Sequence, residues 1–532
     1  MSRKFWREGE PLVWGTAAAL TLTLLIAATL VIVVLVNGLG VFWPSPVASA
    51  TLADGSRVMG EIVGREPIPE DSGERLQFKI GNRDLYGLDF RWIDASAIVS
   101  LDHPRDALVL ERQENGNFYG TLLDASGPTA AVSDGDPATR LATLRKITER
   151  RQAEIEEVGD ELSDLNSRIV DLTTQRRDRI HRGERPDAPA LQELEAQAAA
   201  LRAVYEEDLA RQEEMYADLQ GYTATVADAS GVEKVIPLST IVRAYRPNAM
   251  TGLEKVLFYL SKLKELLLGE PRESNTEGGL FPAIFGTVML IFLMSLVTFP
   301  LGVMAAVYLR EYAREGMVVR LVRIAVNNLA GIPSIVYGIF GLAFFIYGIG
   351  ASIDQMFFPE RLPAPTFGTG GILWASLTLA LLTVPVVIVA TEEALGAIPA
   401  GVREGSLALG ATKFQTLTRT LLPMASPGIM TGLILAMARA AGEVAPLMIT
   451  GVVKLAPALP LDGQFPFLHL DRKFMHLGFH IYDIAFQSPN AEAARPMVFV
   501  TTLLLVLIVL GMSSVAIVLR NRMKKRYTYG TF

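Results

Sequence analysis

The stretch "EGSLALGATKFQTLTRTLLP" occupies residues 404–423, between two apolar runs each long enough to cross a bilayer. It is polar, has Gly410 near its middle and ends on Pro423. Apolar Leu407, Leu409, Phe414, Leu417 and Leu421 alternate with polar residues, which predicts a short helix, a break at Gly410, a second short helix and a stop at Pro423. Such a piece either lies on the membrane surface or fits a groove in a soluble partner, and periodicity does not choose between them. The side of the membrane it faces depends on the spans around it.

A spanning helix needs roughly 20 mainly apolar residues. Residues 12–36, 280–309, 324–353, 367–391 and 497–519 qualify without a single charged side chain, and a sixth run, about 427–453, carries only Arg439 and Glu443. The first run follows Arg3, Lys4 and Arg7 and precedes "ASA" at 48–50, which also suits a signal peptide. A signal peptide's apolar region is typically about 7–15 residues, so this longer run reads as an uncleaved anchor. With the N-terminus inside, six spans bring the C-terminus inside too. Fifteen Lys/Arg then fall in cytoplasmic segments against five in the two short external loops. That bias puts residues 404–423 in the cytoplasm.

The averages over 532 residues, 50% hydrophobic and 20% charged, conceal two different parts. Residues 38–277 hold 42 Asp/Glu and 28 Lys/Arg, a local net charge of −14, whereas the remainder has 14 acids and 21 bases. An acidic module on the external side is thus inserted into a basic membrane protein. The chain contains no cysteine, which excludes disulfides, thiolate metal sites and cysteine nucleophiles.

Within the module, residues 51–135 predict β structure, with short alternating pieces such as "RLQFKI" and "DALVLE" separated by turn residues. From Pro137 the period changes: Leu144, Ile147, Arg151, Ile155, Val158 and Leu162 follow at spacings of three and four, as do Leu191, Leu194, Ala198, Leu201 and Tyr205. The breaker-rich "HRGERPDAP" lies between, so residues 137–220 read as an antiparallel coiled-coil hairpin, an arm of roughly 60 Å. Residues 222–247 return to strand character, and 250–268 read as an amphipathic helix at the outer interface. The arm is either a docking or spacing device for another envelope protein or a solvated insertion.

The spacing within residues 404–423 carries a family resemblance. Glu404-Gly405-Ser406, three residues, Gly410, nine residues, then Thr420-x-Leu422-Pro423 resembles the E-A-A-x3-G-x9-I-x-L-P loop of ABC-importer permeases, departing at the two alanines and the isoleucine. "NNLAGIPSIVYGIFG" (327–341) and "ARAAGEVAPLMITG" (438–451) are similar to phosphate-importer permeases of the PstA type. The resemblance covers residues 278–532 and the first anchor, but not the module. It implies an α-helical polytopic fold of the type I ABC-importer kind with six transmembrane helices, while the inserted α+β module is read from its own residues alone. It further implies a cytoplasmic coupling loop over 392–425, with Glu404, Gly410, Leu422 and Pro423 docking on an ATPase dimer. The implied partners are a second permease subunit and an external phosphate-binding protein, in a bacterial inner membrane. No G-x-x-x-x-G-K-[ST] loop is present, so ATP and magnesium are expected on the partner and no cofactor on this chain. No nucleic-acid partner is expected.

Arg439 and Glu443, four apart, are expected on one helix face. Each charge costs roughly 2.5–3.5 kcal/mol near a bilayer centre, which makes the pair the candidate substrate path, unless it is a packing lock. A guanidinium grips two phosphate oxygens, and a carboxylate accepts the proton that phosphate retains and sulfate lacks. Pro300, Pro333 and Pro385 interrupt spans, and Asn327 and Asn328 suit helix packing. His469, His476 and His480 read as an ordinary external loop rather than a metal site. The rival readings are a permease for sulfate or molybdate, or a membrane scaffold acting through the external coiled coil.

Overall fold

The computed structural model describes residues 10–68, 73–128, 135–463, 465–488 and 490–527. Arg3, Lys4 and Arg7, which entered the charge count, lie outside these. Among the described residues six helices are long and apolar enough to cross a membrane: Leu12–Gly40, Phe281–Tyr312, Ser334–Phe357, Ile372–Gly396, Lys413–Gly442 and Ala491–Lys524, hereafter spans 1 to 6.

Span 4 is the centre of the bundle. In its most apolar stretch 67% of residues are buried, against none in span 1, because spans 2 and 5 both pack along it. Small residues make those approaches close. A Cβ added to Gly428 would come within 2.5 Å of Ala394 Cβ, one on Gly432 within 2.6 Å of Ala390 Cβ, and one on Gly302 within 2.7 Å of Val387. In lipid, where burial of apolar surface gives no drive, such contacts between backbones are what holds helices together. Leu290, Met294, Leu379, Leu382, Ala440 and Phe474 fill the core beside them.

Prolines set the helix ends differently from the apolar runs. The third run is two elements: an amphipathic helix, Met317–Leu329, and then span 3, which starts only at Ser334. Pro333 has no N–H and its ring excludes the helical carbonyl four residues back, so the chain turns at Gly331–Pro333. Asn327 and Asn328 therefore sit exposed on the separate helix. The sixth run breaks after Gly442 and resumes as a short helix, Ala445–Thr450, for the same reason at Pro446. By contrast Pro300 and Pro385 stay inside continuous helices. Pro423, expected as a stop, lies inside span 5: the wider turn Leu417–Leu421 takes up the missing hydrogen bond, so the helix runs on from Lys413.

The module contains two five-stranded units. In the first, β1 (Val47–Leu52), β2 (Arg57–Pro67), β3 (Glu74–Lys79), β4 (Phe90–Asp94) and β5 (Ile98–Asp102) lie in the order β4-β3-β2-β1-β5. In the second, β6 (Leu108–Arg112), β7 (Phe118–Ser126), β8 (Thr223–Ala227), β9 (Glu233–Pro237) and β10 (Ile241–Tyr245) lie in the order β10-β6-β7-β8-β9. The topology is the same: a four-strand meander whose fifth strand returns to pair with the first. Each fourth strand reaches the fifth through a single 3-10 turn, Ala95–Ala97 and Leu238–Thr240. Two asparagines join the units. Asn248 Nδ2 donates to Val47 O and Pro104 O at 2.8 Å, and Asn82 Nδ2 donates to Tyr119 O at 3.1 Å.

The helical arm is an insertion between paired strands of the second unit. Ser126 at the end of β7 lies opposite Thr223 at the start of β8, and between them run Pro137–His181 and Pro189–Gln220. Arg176 Nη2 pairs with Glu195 Oε2 at 3.1 Å, Gln212 Nε2 donates to Ile155 O at 3.3 Å, and Arg151 pairs with Asp218, an antiparallel register from tip to root. Leu141 and Leu144 at the root enter the core of the second unit. The longer arm helix also packs against the turn Pro359–Arg361, in the loop after span 3.

Ion pairs join the second β unit to the amphipathic helix, and further bonds reach the spans and their loops. Glu111 of β6 accepts from Lys262 and, at 2.8 Å, from Arg272, while Arg243 of β10 pairs with Glu265 at 2.5 Å; Lys262 and Glu265 belong to the amphipathic helix Gly252–Leu268. A capping box, Thr251 with Glu254, starts that helix, and its Leu253, Leu257 and Leu260 are left exposed. Arg83 bridges Asp89 at 3.0 Å and Glu273 at 2.8 Å, and Asn490 Nδ2, just before span 6, donates to Asp89 at 2.6 Å. Lastly, Asn275 Nδ2 donates to Lys454 O at 2.8 Å in the loop before span 6.

Candidate functional site

Arg439 sits in the last turn of span 5, and its Nε donates to Glu443 Oε1 at 3.4 Å. The two do not share a helix face as their spacing suggested. Glu443 is one residue beyond the helix, at φ −78° and ψ 131°, and its side chain turns back to meet Arg439. The pair therefore stands at a break in the spanning helix, where backbone groups leave the regular ladder. Neither group is fully buried within this chain: 32% of the Arg439 side chain and 18% of the Glu443 side chain are exposed. The pair places a fork of N–H donors and a carboxylate acceptor side by side at an interrupted helix.

The second candidate site is built from Pro399 onward. The helix Ala400–Ala408 ends in a turn with Gly410 at φ +89°, a left-handed conformation that a side chain disfavours although no atom lies within 4 Å of the place a Cβ would take. Thr412 then caps the next helix, accepting from Gln415 N while Gln415 Oε1 accepts from Thr412 N at 2.9 Å. Ser406 and Thr416 hydroxyls, 2.9 Å apart, clip the two helices together. Glu404, Leu409 and Phe414 point away from the chain, Leu409 with 91% of its surface exposed. Leu422 and Pro423 are half-buried, and Leu422 packs against the cluster of Leu395, Ile398, Leu417 and Leu421. The face is thus a rigid elbow with an apolar tip and an acid beside it.

Residues 298–525 match the family described as binding-protein-dependent transport system inner membrane component. A probable ABC transporter permease protein of Bacillus subtilis, YqgI, is 33% identical over 223 residues, covering 41% of this chain and 70% of that one. The chain belongs to this family of ABC-importer permeases. The phosphate transport system permease protein PstA of Yersinia pestis is 35% identical over 222 residues, which is 42% of this permease and 66% of that protein. PstA 1 of Mycobacterium tuberculosis H37Rv is 37% identical over 172 residues, 32% of this permease and 50% of that chain. Among solved structures, the inward-facing MetNI methionine ABC transporter aligns with a TM-score of 0.33 at 20% identity, over 45% of this permease and 94% of that chain.

The elbow of this permease depends on two residues that sequence reasoning passed over. Arg403 Nε and Nη2 grip Glu311 Oε1 at 3.3 and 3.0 Å, while Nη2 and Nη1 also donate to Leu395 O at 2.6 Å and Ile398 O at 2.8 Å. One guanidinium thereby ties the elbow to the end of span 2 and satisfies carbonyls at the end of span 4. Arg403 entered the charge count only as a marker of sidedness; its place immediately before Glu404 was the available signal. Arg323 makes a similar tie, to Glu392 at 3.3 Å and Leu309 O at 3.2 Å.

His469 lies in a loop as expected, but His476 and His480 belong to a helix. His476 caps the helix Leu477–Phe486 by accepting from Gly478 N at 3.1 Å, and His480 lies between Asn275 O at 3.1 Å and Thr501 Oγ1 at 3.2 Å. His469 meets Asp462 at 3.0 Å. Burial pushes His476 down to about 4, and burial, only partly offset by the Asn275 carbonyl and Asp483, does the same to His480. Both stay neutral in the folded protein at pH values where an unfolded chain is protonated. Their stabilisation is whole above pH ~6.5 and is lost as pH falls from there toward about 4, on the order of 3 kcal/mol each. The purified protein's melting temperature should fall across that window. The double variant His476→Asn/His480→Gln should flatten the fall, and an unchanged slope would remove the histidines from the account.

Proposed function

We propose that this chain is the phosphate-selective transmembrane subunit of an ATP-driven importer. The observation that carries the reading is the Arg439–Glu443 pair at the break after span 5, because its donor fork and acceptor suit the monoprotonated anion. PstA-named relatives support the choice of phosphate over sulfate or molybdate. Residues 392–425 form the cytoplasmic coupling loop, with Glu404, Gly410, Leu422 and Pro423 at the seat of a separate ATPase dimer that uses ATP and magnesium. A second permease subunit completes the path, and an external phosphate-binding protein delivers the ion.

In this arrangement residues 1–37 comprise the cytoplasmic N-terminus and first anchor, 38–277 the periplasmic module and 278–532 the permease of a bacterial inner membrane, with both termini cytoplasmic. The test is labelled-phosphate uptake at limiting phosphate by cells lacking this chain. Uptake should fall at least tenfold and return with the wild-type gene, while sulfate uptake stays level. Wild-type phosphate uptake in the deletion strain would instead favour a scaffold working through the arm.

A further inference from the structure

The two five-stranded units match residue for residue around their fifth strands. In "DASAIVSLD" (94–102) the 3-10 turn Ala95–Ala97 leads into β5, and in "PLSTIVRAY" (237–245) the turn Leu238–Thr240 leads into β10. Ala53 N donates to Ala97 O at 2.9 Å, and Gln113 N donates to Thr240 O at the same distance. Each strand then bulges at one valine. Val99 falls between Ile98, opposite Leu52, and Ser100, opposite Thr51. Val242 falls between Ile241, opposite Arg112, and Arg243, opposite Glu111. A bulge leaves one residue without a partner across the ladder. The two valines are therefore equivalent, as are Ser96 and Ser239.

The surroundings of the two stretches differ. No residue of 237–245 is exposed, because two helices cover them. At the root of the arm, Arg145 Nη2 donates to Val242 O at 3.0 Å and Gln152 Nε2 to Ser239 O at 2.9 Å. Leu141 and Leu144 of the same helix share a core with Leu238 and Ile241. The amphipathic helix sets Glu265 against Arg243 and Phe258 against Tyr245, with ring centres 4.5 Å apart. In the first unit seven of the nine equivalent residues are exposed. Val99 has 71% of its surface in the open and Leu101 40%. Among the described residues no side chain donates to Val99 O or Ser96 O.

We propose that β5 of the first unit is the docking strand for an amphipathic helix of a second protein on the module's side of the membrane. That helix sets an arginine on Val99 O and apolar side chains on Val99 and Leu101. The class of partner follows from the sister strand, whose bulge carbonyl takes an arginine from such a helix. The bulge disfavours an added β-strand, since the extra residue breaks the ladder that an incoming strand would continue. The root of a second copy's arm is not the occupant, because its Arg145 and Gln152 are engaged at home. The seat is also shallower than its sister. Arg65 of β2 stands where Ala125 of β7 lines the arm's root, so the incoming helix lies along β5 and does not drive leucines into the end of the unit.

The probe is a helix-stabilised, fluorescent peptide of residues 137–153, which carries Leu141, Leu144, Arg145 and Gln152. It is added to the full chain in phosphatidylcholine nanodiscs and read by anisotropy. A single peptide should bind each chain, since the chain's own arm fills the seat on the second unit. Val99→Asp should weaken binding roughly tenfold, the size of one lost interface anchor, and Arg145→Ala in the peptide should do the same. Because Val99 is exposed, its change should leave the melting temperature in place. Val232→Asp, at an exposed valine in the loop before β9, should leave binding unchanged. Absence of saturable binding overturns the proposal. So does binding that survives Val99→Asp, which would put the peptide on lipid or on the arm's own seat. In cells, a photo-crosslinker in place of Val99 gives a second reading. Adducts on a helix of another protein that vanish when its arginine is changed to alanine support the proposal; adducts with lipid alone, or with a second copy of this chain, overturn it.

Discussion

Arg439→Ala should lower phosphate uptake roughly 100-fold, the expected consequence of removing one charge-assisted fork from a ligand in a poorly solvated path. Arg439→Lys keeps the charge and loses the planar fork, so it should recover only part of the rate. The rival explanation is that the pair locks the end of span 5 against the break at Glu443. The double variant Arg439→Ala/Glu443→Ala separates the two. If the pair is only a lock, removing both partners relieves the stranded carboxylate and uptake returns toward wild type. If the guanidinium grips the substrate, the double variant stays as inactive as the single one. Glu443→Gln should leave the helix end in place, since its backbone N–H, not its carboxylate, bonds Ala440 O. Its expected effect is on selectivity, with sulfate gaining on phosphate.

The arrangement of charge and apolar runs made much of this chain legible, and the reasons it stopped being so are local. Long apolar runs need no context, so the six spans could be read from composition. Their ends could not, because Pro333 and Pro446 end helices while Pro300, Pro385 and Pro423 do not, and a neighbouring wide turn decides the last case. The arm was visible because its period of three and four changes abruptly at Pro137 and Pro189. The repeated five-stranded unit was not visible: "DASAIVSLD" and "PLSTIVRAY" are its only plainly similar stretches, and the arm separates the paired strands β7 and β8 by nearly a hundred residues. At the candidate substrate path, the types and spacing of Arg439 and Glu443 were evident, but the break between them depends on Pro446. At the elbow, motif spacing drew the eye to Glu404 and Gly410, while Arg403, which ties the elbow to the spans, bonds Glu311, remote in sequence.

The exposed tip of the elbow gives the other large effect. Leu409→Asp should abolish association with the ATPase, because an apolar side chain with 91% of its surface exposed contributes nothing to this chain's own packing and suits an anchor in a partner's pocket. A loss of ~2–4 kcal/mol, or 30- to 1000-fold in affinity, is the ordinary size for such an anchor. Phe414→Asp should behave alike, and neither should change the melting temperature of the isolated subunit. Arg403→Ala predicts a different failure. The elbow would keep its tip but lose its fork to Glu311 and its hold on the ends of spans 2 and 4, so the ATPase should still bind and hydrolyse ATP while phosphate uptake falls. Co-purification, ATP turnover and uptake measured on the same preparations distinguish a lost seat from a lost linkage. Full association by Leu409→Asp would move the docking face away from residues 404–423. Normal uptake by Arg403→Ala would show that motion reaches the spans by another route, with the Arg323–Glu392 tie as the next candidate.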